Sequence, residues 1–144
     1  IVGDIKHSRV ARSAVQALRT LGTRDIRLAG PRPLLPKQGE LKGELYTDAD
    51  QAIRGADVVM MLRIQKERMR AGTVPSTSAY FKRYGLTTAR LKLANPGALV
   101  MHPGPINRGV ELAPEVADGP QSAIRAQVAN GVAVRMAVMS GFYS

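Results

Sequence analysis

The stretch Asp57–Arg68, DVVMMLRIQKER, runs through five apolar side chains in succession and then turns abruptly to arginine, glutamine, lysine and glutamate. A short apolar run bounded by charge predicts a strand covered on both faces, as strands in parallel sheets are. In such sheets ligands gather beyond the carboxyl ends of the strands. Arg63 therefore marks either a strand that simply reaches the surface or one that presents a side chain to a ligand.

On either side of this strand, short apolar runs alternate with helical patterns. IVGD (Ile1–Asp4) reads as a strand ending in a turn. From Ser8 to Leu21, Val10, Ala14, Val15, Leu18 and Leu21 fall at helical spacing, with Gly22 as a stop. DIRLAG (Asp25–Gly30) and ELYT (Glu44–Thr47) read as further strands, separated by a proline-rich piece over 31–41 whose limits the pattern does not fix. Thr47 is placed to cap a short helix, with Asp50 three residues on. After a long polar segment, Gln65–Ser78, helical patterns return around Tyr80–Tyr84 and Thr87–Ala94. GALVMHPGP (Gly97–Pro105) is a fifth strand entering a proline-locked turn, and a final helix covers about 128–140.

Strand–helix alternation of this kind requires parallel strands joined by right-handed crossovers. The expectation is one α/β domain over 1–144: three layers around a five-stranded, mainly parallel, doubly wound, Rossmann-like sheet of order 3-2-1-4-5. The switch point then lies between the first and fourth strands, where KHSR, reaching Arg9, and RIQKER, starting at Arg63, leave the sheet.

Bulk composition narrows the classes. Apolar residues make up 44% of 144 residues, enough for a packed core. There are no cysteines, and only His7 and His102 remain for imidazole chemistry, so neither a disulfide nor a thiolate metal site is expected. No apolar run approaches membrane-spanning length, and no basic-then-apolar signal pattern opens the chain. A cytoplasmic protein is the natural expectation. The net charge of +10, with fifteen of 21 basic residues arginine, suits an acidic ligand or nucleic acid. The arginines are scattered, however, and four tyrosines with two phenylalanines offer little base stacking. A basic nucleic-acid-binding module is thus the weaker alternative. The first residue, Ile1, already lies in a strand pattern, and 132–139 is apolar around the helix except at Arg135. A helix apolar on all sides asks for burial on all sides, so the chain reads as part of a longer protein.

Two arginine forks at one crevice suit a ligand with two carboxylates, or with a carboxylate and a phosphate, because guanidinium binds such groups bidentately. Arg9 also falls in a helix's first turn, where free amides favour anions. Gln65 offers both a donor and an acceptor, and Glu67 is placed to hold Arg63 in one rotamer. In HPGPINR, Pro103 and Pro105 bracket Gly104 and leave carbonyl oxygens on display; a plain rigid turn with His102 bonded locally is the competing reading. No dinucleotide fingerprint, phosphate loop, metal-ligand cluster or serine–histidine–aspartate set is present in the sequence. The methionines at 60, 61, 101, 136 and 139 read as core residues.

Four segments, GDIKHSRVARS, RIQKER, YFKRYGLTTARLKLANPGALVMHPGPINRGVE and AIRAQVANGVAVRMAVM, together resemble the catalytic chains of bacterial aspartate carbamoyltransferases. The resemblance spans essentially the whole chain and falls on the C-terminal, aspartate-binding domain. It implies transfer of a carbamoyl group from carbamoyl phosphate to L-aspartate, giving N-carbamoyl-L-aspartate and phosphate, an early step of pyrimidine synthesis without cofactor or metal. It further implies that Arg9 and Arg63 grip the substrate carboxylates and that Gln65 assists. Backbone at Pro103, Gly104 and Pro105 would meet carbamoyl phosphate. Lys6, Glu67 and Arg68 would act behind the site or across the domain boundary. The carbamoyl-phosphate domain, with the catalytic histidine that neither His7 nor His102 replaces, is not in these residues, so no residue here is assigned as catalytic and the isolated chain is expected to be inactive. The final helix would pack on that domain. Homotrimers, with regulatory or dihydroorotase-like subunits in some cases, are the implied assembly. An ornithine carbamoyltransferase is the nearest competitor; its cysteine-containing turn is replaced here by HPGP.

Overall fold

A computed structural model describes residues 1–64 and 76–142. The helix α1 (Arg9–Thr20) begins where Ser8, in extended conformation, accepts a hydrogen bond from the Ala11 amide, and ends as Gly22 takes a φ of 85°. Among the described residues four three-residue strands follow: β1 (Arg27–Ala29), β2 (Glu44–Tyr46), β3 (Val58–Met60) and β4 (Leu99–Met101). β1 pairs in parallel with β2, and β3 in parallel with β4. Between β1 and β2 lies a single 3-10 turn, Arg32–Leu34. The short helices α2 (Ala49–Ile53), α3 (Thr77–Tyr84), α4 (Thr88–Leu91) and α5 (Pro114–Ala117) and the long α6 (Ile124–Gly141) complete the architecture.

Where the sequence predicts a continuous five-stranded sheet, the described residues form these two small parallel sheets. Its expected first strand is reduced to one residue: Val2 bridges in parallel to Ala29 on one side and to Met61 on the other. The reason lies next door. Gly3 has a φ of 138°, outside the strand region, and a Cβ there would stand 2.9 Å from the Leu62 Cβ. The chain bends at its point of closest approach, and only glycine fits.

Adjacent residues on these segments face opposite layers, as the two-residue period of extended chain demands. Leu28 and Leu62 join Ile5, Ile26 and the α1 residues Ala11 and Val15 in one core. Ala29 and Met61 join Val2, Val59, Val100 and residues of α2 to α5 in the other. Helices therefore cover both faces, the α/β arrangement read from the sequence.

Several local readings need correction. The cap of α2 is Asp48, not Thr47; its carboxylate accepts from the Asp50 amide at 2.8 Å. An acidic acceptor is the better partner for free amides at the positive end of a helix. The final helix starts at Ile124, earlier than expected, and α5 was not foreseen. Met61 is fully buried, but Met136 and Met139 on α6 are 65% and 61% exposed. Val58 and Leu99, which begin β3 and β4, are each about half exposed, so these strands are covered on both faces only further along. Among the described residues no helix is long and apolar enough to cross a membrane.

Candidate functional site

Three chain segments leave the parallel ladders together, and a cavity of about 160 Å³ lies between them. Asp4, His7, Ser8 and Val10 line it from the bend before α1, Leu62 and Arg63 from the end of β3, and Pro103 and Gly104 from the turn after β4. Parallel hydrogen bonds hold the segments in register: Val2 donates to the Met60 carbonyl at 2.8 Å, Leu62 to the Val2 carbonyl at 2.8 Å, and Met61 to the Met101 carbonyl at 2.9 Å. The cavity thus sits beyond the carboxyl ends of the strands, where α/β sheets bind ligands. A wider concavity of about 540 Å³, bordered by Arg19, Arg24 and Lys42, lies at the amino ends of β1 and β2.

The sequence candidates fall as follows. Arg63 is half-buried and lines the cavity with Pro103 and Gly104. Arg9 is the first residue of α1 and is exposed; its neighbours Ser8 and Val10 line the cavity, and its own side chain does not. Lys6 is exposed, with its amide bonded to the Leu34 carbonyl at 2.8 Å. Gly104 takes a φ of 68° and its peptide bond to Pro105, which is exposed, is cis. Gln65, Glu67 and Arg68 lie outside the described residues.

Two polar clusters that the sequence reading did not single out support this cavity. Asp4 is buried, and its carboxylate accepts from the His7 amide at 3.2 Å and sits 2.9 and 3.1 Å from His7 Nδ1. The spacing of three residues across a turn was the available signal. Glu111 is fully buried. Its Oε1 accepts from the Ile64 amide and from Asn107 Nδ2, both at 2.9 Å, and its Oε2 accepts from the Asn107 amide at 2.9 Å. Burial, with the Glu111 carboxylate nearby, pushes the Tyr80 hydroxyl well above the usual phenolic range.

His102 is also fully enclosed. Its amide donates to Gln127 Oε1 and its Nδ1 accepts from the Gly104 amide, each at 2.9 Å. Accepting at Nδ1 places the proton of the neutral ring on Nε2, which has no partner among the described residues. Burial lowers its pKa to about 4. The side chain is a strut for the turn, as the plain reading of HPGP supposed, and it locks Gly104 against β4.

Chemically, the cavity offers one guanidinium fork, the free amides of a helix start beside it, and a stiff turn with carbonyl groups. Such groups are suited to an anion and a hydrogen-bond donor held side by side. Among the described residues no group of three or more histidine, aspartate or glutamate side chains is arranged to hold a metal ion. Some of the basic surplus is structural: Arg12 pairs with Glu40, Arg90 with Asp50, and Arg108 with Asp118.

Comparison with known proteins agrees with this geometry. Residues 1–142 match the family model described as aspartate/ornithine carbamoyltransferase, Asp/Orn binding domain. The aspartate carbamoyltransferase catalytic subunit of Xylella fastidiosa (strain Temecula1) is 61% identical over 139 residues, covering 96% of this chain and 43% of that protein. The corresponding subunit of Stenotrophomonas maltophilia (strain K279a) is 59% identical over 140 residues, covering 96% and 44%. Among solved structures, ornithine carbamoyltransferase from Pyrococcus furiosus superposes with a TM-score of 0.82 at 26% identity, covering 96% of this chain and 47% of that one. Aspartate transcarbamoylase from Trypanosoma cruzi, in complex with phosphate, gives 0.75 at 26% identity with the same coverages. The chain thus spans less than half the length of these relatives, and with its parallel strands, its cavity at their carboxyl ends and its match over 1–142, it belongs to the aspartate/ornithine carbamoyltransferase family.

Proposed function

We propose that these residues form the amino-acid-binding half of an enzyme that transfers a carbamoyl group from carbamoyl phosphate to L-aspartate, releasing N-carbamoyl-L-aspartate and phosphate for pyrimidine synthesis. The observation that carries this reading is the cavity in which Arg63 faces the Pro103–Gly104 turn beside the start of α1. Arg63 and Arg9 are assigned to the two carboxylates of aspartate and Gln65 to its amine or carboxylate. The backbone of Pro103, Gly104 and Pro105 is assigned to carbamoyl phosphate. Lys6, Glu67 and Arg68 are assigned supporting or interdomain roles.

No covalent step or metal enters this scheme. The work is positional: two reactants held in line convert a bimolecular attack into an effectively unimolecular one, and fixed donors stabilise the tetrahedral intermediate. The carbamoyl-phosphate groups are assigned to a preceding domain of the same protein. The exposed apolar surface of α6, including Val128, Val132 and Met136, is assigned to contact with that domain. Five segments, with Val2 as the central one, are assigned the sheet order 3-2-1-4-5, which the two bridges of Val2 support. A cytoplasmic homotrimer is the proposed assembly.

Aspartate is favoured over ornithine because the relatives at about 60% identity bear the aspartate name, while the solved enzymes of the two kinds, from Pyrococcus furiosus and Trypanosoma cruzi, are each 26% identical and do not separate them. Protection experiments on the intact enzyme separate the two. Succinate protecting the site against inactivation, with norvaline ineffective, supports aspartate; the reverse pattern assigns ornithine and overturns the proposal. The isolated 144-residue chain is expected to show negligible turnover, and ordinary turnover from it contradicts the division of labour.

A further inference from the structure

The hydrogen bonds of Glu111 join the segment that leaves β3 to the segment that leaves β4, and both segments line the cavity further back. Beyond β3, the Met61 amide still finds a backbone carbonyl on β4 and the Leu62 amide finds that of Val2. The next inward amide, that of Ile64, has a side-chain acceptor instead, Glu111 Oε1. The same carboxylate takes both donors of Asn107, which lies three residues past Gly104. Glu111 is itself anchored, since its carbonyl accepts from the Leu86 amide at 2.8 Å. A charged group with no exposed surface is retained at a desolvation penalty, which neutral turn chemistry would avoid. Here all three donors belong to the segments flanking one cavity.

We propose that Glu111 is a positioning residue for the cavity, pinning the strand end that carries Arg63 to the turn that carries Pro103 and Gly104. It rests on the aspartate reading above, and it adds a determinant of how Arg63 is aimed. Arg63 lies between two fixed amides, Leu62 bonded to Val2 and Ile64 bonded to Glu111, so its Cα–Cβ vector is set from both sides. Charge-assisted bonds from a carboxylate hold such amides more tightly than a neutral acceptor can. Replacing the carboxylate by an amide places an N–H donor against an N–H donor at one of the two oxygen positions, so at least one bond is lost and the strand end loosens.

The test is Glu111→Gln in the intact catalytic chain, with aspartate KM, kcat per folded subunit and circular dichroism measured together. The expected result is a rise in aspartate KM of about tenfold in folded enzyme, the scale of one buried hydrogen bond left unmade. In an Arg63→Ala background the same substitution is expected to add little, because residues acting through one contact are not additive. A parental KM overturns the inference, as does a full additional tenfold rise in the Arg63→Ala background; a role confined to folding lowers the amount of active enzyme and leaves KM alone. Should Glu111→Gln fail to fold, Asn107→Ala removes one donor from Oε1 and is expected to raise aspartate KM about threefold, with an unchanged KM overturning the inference. A parent enzyme that does not use aspartate sinks the functional reading and this inference together. A parent that does, with parental KM in both variants, sinks this inference alone.

Discussion

His102 makes the stability of this domain sensitive to mild acid. Its ring is fully buried, its Nδ1 is occupied as an acceptor from the Gly104 amide, and burial holds its pKa at about 4 against an ordinary 6.5. A depressed histidine pKa means that the unfolded chain takes up the proton first. The stabilising contribution is therefore complete above pH 6.5 and is lost as pH falls towards 4. At ~1.4 kcal/mol per pH unit, the loss relative to neutral pH is about 2 kcal/mol by pH 5 and about 3 kcal/mol near pH 4. The carboxylates whose pKa values are depressed by arginine partners, Asp25, Glu40 and Asp118, start from ordinary values of 3.8 to 4.5, so their contribution is lost below about pH 5, at the acid end of this window. The assay is urea denaturation at intervals from pH 7.5 to 4.5, for the parent and for His102→Asn, whose Oδ1 can replace the Nδ1 acceptor. The variant is expected to be flatter than the parent by about 2 kcal/mol between pH 7 and 5. Parallel curves for the two proteins would refute the assignment of a buried neutral histidine.

Further outcomes follow from local geometry. Gly3→Ala forces a side chain into a φ of 138° with a Cβ 2.9 Å from that of Leu62, and is expected to cost about 2–4 kcal/mol, read from urea midpoints. Asp48→Ala removes the acceptor of the Asp50 amide and is expected to cost about 1 kcal/mol, whereas Thr47→Ala, displaced from the cap, should cost less than half of that; equal losses would contradict the assigned cap.

What could be read from the chain depended on whether the signal was local. α1 was visible because Ser8, a helical run of apolar residues and Gly22 all agree within fifteen positions. The strand positions were visible too, as short apolar runs, although four contract to three residues each and the first to the bridging residue Val2. The turn that ends Ile1–Asp4 was visible, but the close approach that requires glycine at position 3 was not, because it comes from Leu62, far along the chain. Thr47 and Asp48 are both capable caps, and only the backbone path selects between them. On α6 the apolar character signalled burial against a further domain, while Met136 and Met139 read as core; the helix leaves both methionines and most of its other residues exposed within these 144 residues. At the cavity, Arg63 and the Pro103–Gly104 turn were legible because strand ends in parallel sheets face ligands. Glu111 was not, because a lone acidic residue in a loop gives no hint that three amides converge on it.

Arg63 is the side chain assigned to hold a substrate carboxylate in this cavity. Arg63→Ala in the intact enzyme measures it, with aspartate KM and carbamoyl-phosphate binding followed separately. Loss of a bidentate, charge-assisted contact predicts a rise of about a hundredfold in aspartate KM with carbamoyl-phosphate affinity nearly unchanged. An aspartate KM close to that of the parent, or an equal loss of both ligands, contradicts the account.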